Sequence, residues 1–286
     1  MIKTPFEYEY LQLLNDAIMD GVVEQNRTGV PTHGTWGRQI HHDLTAGFPI
    51  LTTRKISFRI AFEETMFFLR GETDTKKLEA KGINIWKQNT SRQFLDSRGL
   101  TGLPEGDMGK GYGFQMRRFD EKVRYYAGMD QVAYVMTELQ KKSNSRRLIL
   151  STWNPNQLRE TALPPCHILS HYRIREGEYL DSLLYQRSAD LYHGVPYNIM
   201  GYAFVNHLFA HYAGLTPGRI VYTFGDAHVY ETHLDAAREL TRRTPTGCPI
   251  LDFIRTPENF EDLQFDDVRL IGYHPHPPMK KIPMVE

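Results

Sequence analysis

Two segments near the middle of the chain, Ile168 to Ile174 and Tyr179 to Tyr185, alternate apolar and polar residues on either side of Arg175-Glu176-Gly177-Glu178. A period of two around a short glycine-containing loop predicts a β-hairpin. Hairpin strands run antiparallel, so the residue entering the first strand and the residue leaving the second meet at one edge of the sheet. Cys166 and His167 stand at that entry, and Arg187 follows the exit. The pattern therefore sets a thiol near a guanidinium. A cysteine becomes a useful nucleophile when nearby cations lower its pKa and the thiolate is partly exposed. Leu163-Pro164-Pro165-Cys166-His167 accordingly reads as a nucleophile site rather than as a place for a small buried hydrophobe.

Helical spacing dominates elsewhere. Thr4-Pro5-Phe6-Glu7 resembles a capping box with proline at the first helical position, and Leu11, Leu14 and Ile18 repeat at helical spacing until Gly21. A second helix starts near Ser57 and runs to Arg70 with Gly71 as its stop, carrying Phe58, Phe62, Met66 and Leu69 on one side. Glu64 lies between Ile60 and Phe68 at i±4 spacing, so its carboxylate shares an apolar stripe, which is how a proton-transfer carboxylate is tuned. Val132, Val135, Met136 and Leu139 mark a third helix, followed by Arg146, Arg147 and a strand from Leu148 to Trp153. Pro196-Tyr197-Asn198 opens a long apolar helix to Gly214, with Asn198 in its first turn. A strand from Arg219 to Phe224 then leads to Gly225-Asp226-Ala227-His228-Val229-Tyr230 and a helix to about Arg243. The order predicts an α+β fold, a mostly antiparallel sheet covered by helices.

No linker, low-complexity run or solenoid-period repeat divides the 286 residues, so one domain over residues 1–286 is expected. Thirty-four basic residues balance 34 acidic ones, which removes the overall electrostatic footprint of a duplex-binding or membrane-surface protein. No run approaches the roughly 18 apolar residues that span a bilayer, and the N-terminus lacks the pattern of a signal peptide. With two cysteines, Cys166 and Cys248, a reducing cytoplasm fits best. His41-His42 and His274-Pro275-His276 lack companions at ligand spacing, so no metal is expected.

The polar residues at element ends are Arg27, Glu64, Tyr112, Arg146, Arg147, Cys166, His167, Arg187, Ser188, Asp190, Asn198, His228 and Tyr230. Four arginines, a thiol, an amide and hydroxyls suit a phosphorylated small molecule with a hydrogen-bonding ring. At these residues the chain resembles the thymidylate synthase family, which includes the phage pyrimidine hydroxymethylases. The likeness runs through Asn26-Arg27-Thr28-Gly29, Phe48 to Thr53, Ser145-Arg146-Arg147, Leu163 to His167, Gln186 to Asp190, Gly194 to Ile199, Gly225 to Tyr230 and Gly272 to Pro277. Each motif is short, but the ordered set is highly specific.

The resemblance implies a homodimer joined through the sheet, each active site borrowing the partner's Arg146 and Arg147. With Arg27, Arg187 and Ser188 these would hold the 5'-phosphate of dUMP. His228 and Tyr230 would bind the 3'-hydroxyl of the deoxyribose. Asn198 offers both a donor and an acceptor, so it can pair with O4 and N3-H of uracil; the alternative for this residue is an N-terminal helix cap. The catalytic set implied is Cys166, Glu64, Tyr112, His167, Arg187 and Asn198. Cys166 would add to C6, and Tyr112 with ordered water would remove the C5 proton. Glu64 would shuttle protons. Trp86, Leu163 and Asp190 match positions that contact the cofactor, 5,10-methylenetetrahydrofolate.

Two outcomes share these residues. Hydride transfer gives dTMP, as in a thymidylate synthase, whereas water addition gives 5-hydroxymethyl-dUMP, as in a dUMP hydroxymethylase. The chain departs from the family pattern at Asn26, Lys87, Lys110-Gly111, Met116, Met200-Gly201 and the terminal Glu286, whose added charge could loosen the tail that closes over folate. The retained cofactor positions favour the synthase. A non-catalytic nucleotide- or RNA-binding relative would be expected to lose Cys166 or Glu64, and both are present. The expected location is the cytoplasm, or a host's cytoplasm for a phage-encoded protein, with no need for nucleic acid or membrane.

Overall fold

The structure is a computed structural model describing residues 6–122, 127–280 and 282–285. Thr4, Pro5 and Glu286, named above for a helix cap and an acidic tail, lie outside the described residues. The helices are α1 (Phe6–Asp20), α2 (Phe58–Leu69), α3 (Lys76–Glu79), α4 (Arg92–Ser97), α5 (Tyr112–Arg118), α6 (Gln131–Gln140), α7 (Gly194–Ala213) and α8 (Leu234–Thr241). The strands are β1 (Val22–Glu24), β2 (Thr32–Asp43), β3 (Leu148–Ser151), β4 (His167–Arg175), β5 (Tyr179–Asp190), β6 (Thr216–Tyr230), β7 (Ile250–Phe253) and β8 (Val268–Ile271). Six strands form one sheet in the order β1-β2-β6-β5-β4-β3, and β7 and β8 form a separate pair. The expected α+β architecture is what the chain adopts.

The hairpin expected from the alternating segments is β4 and β5, with Arg175 opposite Tyr179. The neighbouring pair β5 and β6 is parallel, in a sheet whose other pairs are antiparallel. Parallel neighbours need a crossover, and α7 supplies it. This helix is apolar nearly all round because it is buried between the sheet and α2. Buried Asn206 fastens it to β5, donating to the Leu180 carbonyl at 3.0 Å and Ser182 Oγ at 2.8 Å.

The second helix matches its sequence signals. Ser57 precedes α2, Arg70 closes it, and Gly71 follows with φ 74°, a left-handed conformation that glycine adopts without strain. Its buried face meets α7 through Phe58 and Phe62, whose rings lie 5.9 and 4.9 Å from that of Phe204. Burying each phenylalanine contributes about 1.5–3 kcal/mol. This packing fixes the helix that carries Glu64. At the other end of the chain's first motif, buried Glu7 of α1 accepts hydrogen bonds from the backbone and hydroxyls of Thr52 and Thr53 at 2.7–2.8 Å.

Several boundaries differ from the sequence expectation. Residues Gly225 to Tyr230 do not follow a strand but lie within β6, because pairing continues on both sides: Ser188 opposes Asp226 on β5, and Gly34 opposes His228 on β2. Arg187 likewise lies within β5 rather than after it. The strand after Arg147 ends at Ser151, short of Trp153. The long helix begins at Gly194, so Asn198 sits in its second turn and does not cap it.

Candidate active site

Topology gathers the polar residues at one sheet edge. Strand β4 begins there and β5 ends there; β6 runs parallel to β5 and so ends there too, and antiparallel β2 begins there. The edge thus receives Cys166 and His167, then Arg187 to Asp190, then His228 to Tyr230, with Arg27 in the turn before β2.

Cys166 is half-buried, and its backbone N–H donates to the Tyr112 hydroxyl at 2.7 Å. Arg187 curls back over the same loop. Its Nε donates to the Pro165 carbonyl and its Nη2 to the Pro164 carbonyl, both at 2.9 Å. Burial pushes the thiol above its ordinary pKa; Arg187, then Arg27, and the Tyr112 hydroxyl pull it down without prevailing. The expectation that neighbouring cations make a low-pKa thiol is therefore corrected for the ligand-free chain: both arginines act in the expected direction, but desolvation wins.

Glu64 stands half-buried on the inner side of α2, and Trp86 Nε1 donates to its Oε1 at 2.8 Å. Burial raises its pKa to about 7, with the Trp86 hydrogen bond opposing the rise. One turn on, Phe68 stacks on Tyr112 at 4.7 Å, and Trp86 meets the same tyrosine edge-on at 5.9 Å. Glu64, Trp86, Tyr112 and Cys166 are thus one connected group drawn from four parts of the chain. Burial also holds the Tyr112 hydroxyl well above the ordinary tyrosine range.

His167 is buried between Tyr112 and Tyr202, each ring 5.3 Å away, and burial lowers its pKa to about 4 despite a hydrogen bond with Asn198. It is neutral at pH 7. Asn198 Oδ1 accepts from Gln186 Nε2 at 3.1 Å, and the same amide donates to the Ser188 carbonyl at 2.9 Å. Buried Gln186 thereby orients Asn198. The sequence reading assigned Gln186 no role; its signal was a polar residue at an inward position of the alternating strand. Tyr202, four residues beyond Asn198, was read only as part of an apolar helix.

Buried His228 pairs through Nδ1 with Asp226 Oδ1 at 3.1 Å and meets Tyr230 edge-on at 5.3 Å. Asp190 Oδ1 accepts from the backbone of Tyr192 and His193 at 3.0 and 3.1 Å, which turns the chain into α7. Ser188, Leu163 and Trp86 are half-buried, and Arg27 is exposed on a turn organised by the Asn26 side chain. Arg146 and Arg147 are exposed but not brought to this edge. They precede Leu148, which opposes Tyr172, six residues of strand or about 20 Å from Cys166.

No three His, Cys, Asp or Glu side chains converge as a metal site among the described residues. His276 instead bonds the Thr244 carbonyl, and His42 that of Gly47. No described helix is long and apolar enough to cross a membrane.

The model of the family described as thymidylate synthase matches residues 8–285. The chain belongs to the thymidylate synthase family. A thymidylate synthase of Human herpesvirus 8 type P (isolate GK18) is 40% identical over 285 residues, covering 97% of this chain and 84% of the relative. Thymidylate synthase 1/2 of Encephalitozoon cuniculi (strain GB-M1) is 42% identical, covering 96% of both chains. The bifunctional dihydrofolate reductase-thymidylate synthase of Leishmania amazonensis is 42% identical over 96% of this chain, and the chain spans about half of that relative, 54% of its length. The thymidylate synthase family comprises one-carbon transferases that use a folate cofactor and act on dUMP. The names of these relatives favour the synthase over the hydroxymethylase.

Proposed function

We propose that the protein is a homodimeric thymidylate synthase that converts dUMP and 5,10-methylenetetrahydrofolate to dTMP and dihydrofolate. The observation that carries this reading is the linked group of Glu64, Trp86, Tyr112 and Cys166, in which hydrogen bonds and a ring contact join a carboxyl, a phenol and the backbone of the nucleophile. Cys166 Sγ adds to C6 of uracil, and the electron pair moves to C5. Arg187 holds the loop of the nucleophile and opposes the burial that disfavours its thiolate. Asn198, oriented by Gln186, reads O4 and N3-H of the base, with neutral His167 behind it. Tyr112 takes the C5 proton through water, and Glu64, poised near pH 7, relays protons to and from the base.

Arg27, Arg187 and Ser188 hold the 5'-phosphate together with Arg146 and Arg147 of the second copy, whose position about 20 Å from their own Cys166 supports service across a dimer. His228 and Tyr230 hold the 3'-hydroxyl. The cofactor's residues are Trp86, Leu163 and Asp190. The first two give a half-buried apolar wall and Asp190 a carboxylate, a set suited to a flat ring with N–H donors. When bound, the cofactor supplies the one-carbon unit and then a hydride. Buried residues from Phe6 to Val268 form a continuous core, which supports one domain, and two free cysteines, Cys166 and Cys248, suit a reducing compartment such as the cytoplasm.

The test is incubation of purified protein with dUMP and 5,10-methylenetetrahydrofolate, with the nucleotide identified by mass spectrometry and dihydrofolate followed by absorbance. Equal amounts of dTMP and dihydrofolate are expected. Formation of 5-hydroxymethyl-dUMP without dihydrofolate would overturn the reading and make water the terminal acceptor.

A further inference from the structure

Ahead of both Tyr112 and Cys166, the backbones of two loops run side by side. Gly109 opposes Thr161 in an isolated antiparallel bridge. The Ala162 N–H donates to the Met108 carbonyl at 3.0 Å, and the Lys110 N–H to the Glu160 carbonyl at 2.9 Å. The approach is so close that a Cβ on Gly109, whose φ is 65°, would overlap the Glu160 carbonyl. These bonds join the segment entering α5 to the segment entering the nucleophile loop. A ladder this short specifies its register weakly, and side chains must complete the specification.

One pair of side chains is placed to do so. Lys110 Nζ lies 2.7 Å from Glu160 Oε2, so the two residues are joined through backbone and side chain at once. The Lys110 ammonium also stands over the ring of Phe114, 5.6 Å from its centre, an attraction between cation and π-face. Phe114 is a buried residue of α5, the helix that Tyr112 opens. Lys110 therefore holds the nucleophile loop through Glu160 and the helix of Tyr112 through Phe114. Between Lys110 and Tyr112 stands Gly111, whose backbone freedom makes an anchor beside it necessary. Lys110-Gly111 is one of the departures from the family pattern named above.

We infer that Lys110 and Glu160 are positioning residues, an ionic clasp that keeps the Tyr112 hydroxyl in register with the Cys166 loop. The clasp acts where the loop begins and Arg187 where it ends, at the carbonyls of Pro164 and Pro165. Only 23% of the Lys110 side chain is exposed but 52% of that of Glu160, so the pair is partly screened by water and its effect on turnover is modest. That effect falls on the step that needs the phenol. The inference rests on the reading of Tyr112 as the group that takes the C5 proton.

The test uses the full chain, unaltered and as Lys110→Met, Glu160→Gln, the two together, and Lys110→Arg. Release of tritium from C5-labelled dUMP is expected to slow by about two- to five-fold in each single variant, with formation of the Cys166 adduct and KM for dUMP unchanged. The double variant should be no slower than Lys110→Met alone, because both residues act through one interaction. Lys110→Arg keeps the charge and should return the unaltered rate. Hydrogen exchange followed by mass spectrometry gives a second reading, without substrate. Peptides spanning residues 163–167 contain two prolines that carry no amide, so the Cys166 N–H, bonded to the Tyr112 hydroxyl, is a large share of their signal. It should exchange faster in Lys110→Met and Glu160→Gln than in the unaltered protein. Tritium release slowed no more than adduct formation, additive losses in the double variant, or Cys166 exchange unmoved in both single variants overturns the inference. Failure of the unaltered protein to make dTMP would overturn the proposed reaction instead, since the exchange reads the clasp without turnover.

Discussion

Arg187 is bonded to the nucleophile loop twice over: its backbone N–H donates to the Cys166 carbonyl at 2.9 Å, and its guanidinium reaches back to the carbonyls of Pro164 and Pro165. Two prolines in succession offer carbonyls but no N–H of their own, so the loop depends on an outside donor with the right fork. Lysine cannot reproduce two donors at fixed spacing.

Arg187→Lys is therefore expected to retain the charge but lose the clasp, lowering kcat/KM for dUMP by about 100-fold or more. Arg187→Ala should also raise the Cys166 pKa further, because the largest contribution opposing burial is removed. Iodoacetamide alkylation as a function of pH reads this directly: its midpoint should shift upward in Arg187→Ala, and an unchanged midpoint would refute the electrostatic role.

Glu64 makes a stability prediction with a definite sign. Its pKa rises on folding from 4.5 to about 7, so the folded chain binds more protons than the unfolded chain between these values. Stability is unpenalised below pH 4.5, falls as pH rises through this window, and carries the full penalty above pH 7. The shift amounts to at most about 3–4 kcal/mol. Glu64→Gln keeps an acceptor for Trp86 and removes the penalty. Urea unfolding should find the variant more stable than the unaltered protein at pH 8 but not at pH 4.5, while dTMP formation collapses.

Tyr112→Phe removes the acceptor of the Cys166 N–H. A partly buried donor left unpaired costs about 1–2 kcal/mol, visible as a lowered midpoint of unfolding. The same variant should release tritium from C5-labelled dUMP far more slowly than it forms the Cys166 adduct. Equal slowing of both steps would assign Tyr112 to the nucleophile loop alone.

Arg146 and Arg147 can be tested by mixing chains. Cys166→Ala and a double Arg146→Ala, Arg147→Ala variant should each be inactive alone. Refolded together, they should regain dTMP formation, because one site of each mixed dimer then has an intact thiol and intact partner arginines. No recovery would remove these arginines from the partner's site.

The hairpin was legible because alternation is a local signal and the edge that joins Cys166 to Arg187 follows from strand direction alone. Helix α2 was legible for a similar reason, through its apolar stripe and glycine stop. Strand β2 was not, because Thr32 to Asp43 is rich in Gly, His and Thr and becomes a strand by pairing with β6 along nearly its whole length. The early start of α7 was hidden behind Gly194, a residue that ordinarily argues against helix. The direction of the Cys166 pKa escaped the sequence for a deeper reason. Charged neighbours can be named from motifs, but how much water is excluded from a thiol depends on every element packed around it.

The β4–β5 turn has a practical consequence. Glu176 and Gly177 adopt positive φ values of 57° and 71° in an exposed loop at the opposite end of nine-residue β4, roughly 33 Å from Cys166. A fluorophore placed there would be separated from its own chain's thiol by the full length of the hairpin, yet would lie toward the end of the sheet that carries Arg146 and Arg147. The same antiparallel ladder that delivers thiol and guanidinium to one edge thus makes the opposite edge a place from which a label would report on the pairing of two copies.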